Sequence, residues 1–118
     1  MTVLEKVKSY LGVHVTEEEF DSELLPLINE AVIVQIQLGV IDWLALGVID
    51  SDTEMPEFDT PRVELGVLSR ASVYRAVQIS FDPTPSATLA EIRNNGYQEA
   101  LGRVQFEVEK LEEKVEES

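Results

Sequence analysis

The chain has 118 residues, 23 of them acidic and 9 basic, for a formal charge of −14; 44% are hydrophobic, one is histidine and none is cysteine. That is the length of a single domain with enough apolar sequence for a packed core, and the lack of cysteine excludes disulfides, thiol nucleophiles, thiolate zinc sites and iron–sulfur clusters. The acidic excess opposes binding to nucleic-acid phosphates and to anionic membrane surfaces, since both depend on lysine and arginine.

From Val3 to Lys8 apolar and charged residues alternate, unlike the continuous apolar core of a signal peptide, so no secretion signal is expected. Thr2-Val3-Leu4-Glu5 has the form of a capping box; with Val7, Tyr10 and Leu11 at helical spacing it predicts a helix over about 2–11, stopped by Gly12. His14 reads as a loop residue, because one histidine cannot supply a two-histidine metal motif. A second box, Thr16 to Glu19, lies beside further possible starts at Asp21 or Ser22, placing Pro26 within the first turn or so of a helix over about 21–38. Leu24, Leu25, Ile28, Ala31, Val32, Gln35 and Ile36 recur there at three and four, and Gly39 closes it. This is the best core helix in the sequence.

Ala31 to Ile49 is long and apolar enough to raise the question of a membrane span. Asp42 near its middle costs about 2.5 to 3.5 kcal/mol on insertion scales, two glycines interrupt the run, and no lysine or arginine flanks it. It reads instead as core and subunit interface. Residues 40–60 lose the helical period and form a long central loop, with a short helical turn or hairpin around Trp43, itself an interface anchor or a core tryptophan. The LGVID repeat at Leu38 to Asp42 and Leu46 to Asp50 is too short to be a structural unit. Asp50-Ser51-Asp52-Thr53-Glu54 opens like a calcium loop, but Met55 and Pro61 occupy the positions that need glycine and glutamate. A solvated acidic loop without a metal is expected.

Thr60-Pro61 reads as an N-cap and first helical residue, opening a helix over about 61–80 with Val63, Val67, Ala71, Tyr74, Val77 and Phe81 in period. The segment Phe81-Asp82-Pro83-Thr84-Pro85-Ser86 breaks it, and Ser86 or Thr88 caps a last helix over about 87–115. In that helix Leu101, Val104, Val108, Leu111 and Val115 form a heptad seam, which needs another helix of the chain or a partner. The expected fold is therefore all-α, one domain over 1–118, with four main helices in a small bundle, a long central loop and an extended C-terminal helix. The glycines never cluster into a phosphate loop, no serine sits in a nucleophile elbow, and nothing marks an acid and base pair. Neither an enzyme nor a cofactor is expected.

Three stretches carry a resemblance: Phe20-Asp21-Ser22-Glu23-Leu24-Leu25-Pro26-Leu27-Ile28-Asn29, then Gln37-Leu38-Gly39-Val40, then Phe81 to Ser86 before a long final helix. In order and spacing the chain resembles the small head-to-tail connector (adaptor) proteins of long-tailed bacteriophages, over most of its length apart from 41–60. Gly96 and Gly102 in the last helix depart from that pattern. The resemblance implies a structural virion protein, made in the host cytoplasm and placed at the head–tail junction. It further implies self-association into a cyclic ring of roughly a dozen copies. The partners implied are the portal protein and the next head-completion or tail-terminator protein, with DNA only a non-specific passenger in the channel and no membrane. On this reading Trp43, Leu101, Val104, Val108 and Leu111 form the partner interface, and Asp50, Asp52, Glu54, Glu57 and Asp59 form a channel-facing acidic loop. Two other readings fit the charge and the seam: an acidic phage-encoded inhibitor that mimics DNA on a host protein, and a small intracellular helical adaptor.

Overall fold

A computed structural model of the chain describes residues 1–117, with side chains through Glu113; Val115 of the expected seam lies outside the described side chains. Its elements are α1 (Val3–Leu11), α2 (Asp21–Gln37), a 3-10 segment (Ile41–Leu46), α3 (Val63–Phe81) and α4 (Ala87–Glu117). The all-α architecture with four main helices is the one the sequence predicts, and no strand is present among the described residues.

Local chemistry sets the helix ends. Glu5 N–H donates to Thr2 Oγ1 at 3.1 Å and Thr2 N–H to Glu5 Oε1 at 2.9 Å, the reciprocal pair of a capping box. Gly12 ends α1 in the left-handed conformation at φ 79°, where a side chain would be strained. At α2 the structure chooses between the starts that the sequence offers. Thr16 to Glu19 does not cap it; the helix starts at Asp21, one of the two expected starts, behind Phe20, which gives no side-chain cap, and Pro26 lies in its second turn. The reason is Lys8, buried at 2% exposure: its ammonium lies 2.5 Å from Asp21 Oδ1 and donates to the Glu17 carbonyl at 2.5 Å. Those contacts fold residues 17–21 around the cation.

The start of α3 also differs. Thr60-Pro61 precedes the helix instead of opening it: Arg62 N–H donates to the Asp59 carbonyl at 2.6 Å, and the ladder begins with Gly66 N–H on the Arg62 carbonyl at 3.0 Å. Asp42 grips the Arg62 guanidinium through Nε and Nη2, fixing the residue before the helix to the 3-10 segment. Ser86 caps α4, accepting from Leu89 N–H at 3.2 Å.

The breaker between α3 and α4 folds them back on each other, so that Arg75 meets Gly96 and Leu68 lies beside Arg103. α2 packs on the other side of α3, and α1 lies against both. The result is a slab of 48 × 35 × 18 Å; its long edge matches the ~46 Å of a 31-residue helix, and its thickness is about two helices. Val3, Val7, Leu24, Ile28, Leu65, Val73 and Val77 fill the core.

Candidate functional site

Residues 47–62 form irregular chain that is nonetheless fastened at three places. Asn29 of α2 acts as a bracket: its Oδ1 accepts from Ile49 N–H at 2.8 Å, and its Nδ2 donates to the Ile49 carbonyl at 3.0 Å and the Leu25 carbonyl at 2.9 Å. Farther on, Val3 N–H donates to the Thr53 carbonyl at 2.9 Å and Met55 N–H to the Met1 carbonyl at 3.2 Å, making an isolated antiparallel bridge between Thr2 and Glu54. Phe58 then plugs the core edge-on to Trp43, with Arg70 over its ring and Gly66 beneath it.

Between these fastenings the carboxylates face outward. Asp50, Asp52, Glu54, Glu57 and Asp59 are all exposed. Asp50 Oδ1 accepts from Asp52 N–H at 2.9 Å and from the Thr53 hydroxyl at 3.0 Å, a turn that holds the carboxyl below its ordinary value, the backbone donor contributing most. Glu54 pairs with the N-terminal ammonium at 3.3 Å. Among the described residues no group of three histidine, cysteine, aspartate or glutamate side chains is placed to hold a metal. His14 is exposed, with its Nδ1 2.7 Å from the Thr16 hydroxyl.

The five residues assigned to a partner interface are placed differently. Trp43 is fully buried, and its Nε1–H donates to Ser69 Oγ at 2.8 Å while the Ser69 hydroxyl donates to Gln35 Oε1 at 2.7 Å. Val104, Val108 and Leu111 are buried in the same core, and Leu101 is half-buried. The seam of α4 is thus occupied within its own chain, with Val108 reaching the turn after α2 at Gly39. Sequence reasoning missed what lies outside. Phe106, two residues from both Val104 and Val108, projects from the opposite side of α4 at 67% exposure. Its signal was available: an aromatic residue out of phase with the seam.

A second apolar feature is a groove of about 260 Å³ where α2, α3 and the first half of α4 diverge, lined by Leu27, Ala31, Val34, Ala76, Ile79 and Tyr97 with Glu30 and Asn94 also on its wall. Burial of the Tyr97 ring raises its phenol above the ordinary value. Ile41, Leu44 and Val48 are exposed as well, the first two on one face of the 3-10 segment and Val48 two residues past its end. Among the described residues no helix is long and apolar enough to cross a membrane. The chemistry on display is that of surfaces: an acidic rim, an exposed aromatic residue and an open apolar groove.

A family model described as phage connector protein matches residues 3–111. Among curated proteins and solved structures, none matches the chain.

Proposed function

From the premise that the chain belongs to the phage connector protein family, whose members are structural rather than enzymatic, we propose that it is one subunit of a ring joining the portal of the DNA-filled head to the tail or the next tail-completion protein. The observation that carries this reading is the extent of the family match, which begins at the first residue of α1 and ends at Leu111, the last buried seam residue of α4 among those described. A connector is a virion component that meets other head and tail proteins. In the finer reading the subunits close by one repeated heterologous contact, roughly a dozen copies around the axis, and α4 reaches toward the portal.

The acidic segment supports a place beside DNA. Five exposed carboxylates within Asp50 to Asp59, with no lysine or arginine among them, repel a phosphate backbone, so DNA would pass without sticking. The rim is also held in place by Asn29 and by the bridge to Thr2. In a ring, that geometry presents the carboxylates as a fixed collar.

The test is cosedimentation of the purified protein with DNA-filled, tail-less heads of its source phage, followed by electron microscopy of the pelleted vertex. A ring of density on the single portal vertex is the expected result. Folded protein left in the supernatant beside competent heads would overturn the connector reading.

A further inference from the structure

We propose that the crevice between α3 and α4 at Arg75 binds a carboxylate side chain of the next copy in the ring, supplied by the acidic half of that chain. This rests on the ring reading and names its contact. The crevice, of about 150 Å³, has Ala71, Gly96 and Ala100 on its walls and takes its charge from Arg75, Arg103 and Glu99. Glu99 Oε1 accepts from Arg103 Nη2 at 2.7 Å, an exposed pair. Arg75 is exposed and, among the described residues, has no carboxylate within ion-pair distance. The crevice therefore holds one spare positive charge. Gly96 gives that guanidinium its seat, since a Cβ there would lie 2.8 Å from Arg75 Nη1. A glycine inside a helix costs stability, and here the cost holds a cation that no described carboxylate of its own chain uses. Gly102, the other glycine of α4, meets nothing.

The distribution of charge along the chain points to the occupant. Residues 9–61 carry twelve carboxylates and no lysine or arginine, whereas Arg62 to Arg103 holds five arginines against four carboxylates. α2 and α4 pack on opposite sides of α3, so an arginine-bearing edge of one copy can meet the acidic edge of the next, a head-to-tail series that ends only by closing. Of the twelve carboxylates, Asp21 and Asp42 are held by Lys8 and Arg62, and Asp50, Asp52, Glu54, Glu57 and Asp59 belong to the channel-facing rim of the proposed ring. That leaves Glu17, Glu18, Glu19, Glu23 and Glu30, all exposed on α2 and the turn before it. Among the described residues none of these five has a cation within ion-pair distance. An exposed ion pair adds little affinity; the contact sets register and penalises wrong pairings, while repulsion between whole chains still limits assembly.

Arg75→Lys gives the test: it keeps the cation and supplies an amine that a carbodiimide couples to a touching carboxylate as an amide, with loss of water. Rings assembled on portal-bearing heads from a mixture of isotope-labelled and unlabelled chains should yield, on peptide mapping, a mixed-isotope link from residue 75 to Glu17, Glu18, Glu19, Glu23 or Glu30. The native chain, treated alike, should lack that link. Arg75→Glu should abolish the rings while leaving the thermal melt of the subunit unchanged. Gly96→Ala, which displaces the guanidinium, should need several-fold more protein to form rings although its melt is no lower. Rings whose links from residue 75 run only to Glu99 of the same chain or to other carboxylates, or that show no link, overturn the contact and leave the connector reading standing. Rings that survive Arg75→Glu do the same. A native chain that neither self-associates nor docks on heads overturns both readings.

Discussion

The Ser69 hydroxyl accepts from Trp43 and donates to Gln35, so both of its hydrogen-bonding roles are used inside the core. Ser69→Ala orphans two buried polar atoms at once and should lower unfolding free energy by about 3 kcal/mol, read as a fall in the urea midpoint with unchanged slope. Two glycines should respond in opposite directions. A Cβ on Gly66 would sit 2.5 Å from Phe58 Cγ, on a ring that cannot retreat from Trp43, whereas one on Gly102 would meet nothing within 4 Å. Gly66→Ala is expected to cost about 1 to 3 kcal/mol through overpacking, and Gly102→Ala to add about 0.5 to 1 kcal/mol by favouring helix. The carboxyls of Asp50 and Glu5 are both held below their ordinary values, 3.8 and 4.5, chiefly by backbone donors in their turns. Their contribution to stability is therefore complete above those ordinary values and lost as the pH falls through the lowered ones. Thr53→Val, which removes the hydroxyl donor, should move the Asp50 carboxyl titration back upward in NMR.

At the scale of the helix, α4 presents two unlike faces. Val104→Ala, in the seam, should cost about 2 kcal/mol as two methyl groups leave a close-packed site; Phe106→Ala, two residues on, should change stability by less than about 0.5 kcal/mol. Thermal melts of the two variants check whether the seam is internal to the chain. This division was half legible in the sequence. The steps of three and four from Leu101 to Leu111 mark an apolar face, but periodicity carries no information on whether the opposing surface is the same chain or another. Trp43 posed the same difficulty: its burial is decided by Ser69 and Gln35, 26 and 8 residues away, and no local pattern joins them. Where the determinants are local, as in the Thr2 box, the Gly12 stop and the Ser86 cap, the reading and the structure agree. Where a distant partner intervenes the outcome varies: at α2 Lys8 sits on the expected start at Asp21, whereas at α3 Asp42 holds Arg62 and the Thr60-Pro61 cap was outvoted.

The molecule as a whole is a slab about two helices thick, a shape that leaves much of each helix without a covering layer and gives neighbours broad faces to use. Its charge of −14 works against crowding identical copies together. Self-association should accordingly strengthen as salt screens that repulsion, with a Debye length of about 10 Å at 0.1 M, and sedimentation velocity across a salt series would detect it. Neutralising Asp50, Asp52, Glu54, Glu57 and Asp59 together should spare subunit folding and ring docking but slow DNA ejection from the completed particle. Unchanged retention and ejection would remove the carboxylates from the channel. The bridge between Thr2 and Glu54 gives this segment a mechanical character. A load applied to the acidic rim is carried through Thr53 into Val3, the first residue of α1, and through Met55 into Met1 just before its cap. The rim and the N-terminal helix therefore yield together or hold together, as one lever on the bundle.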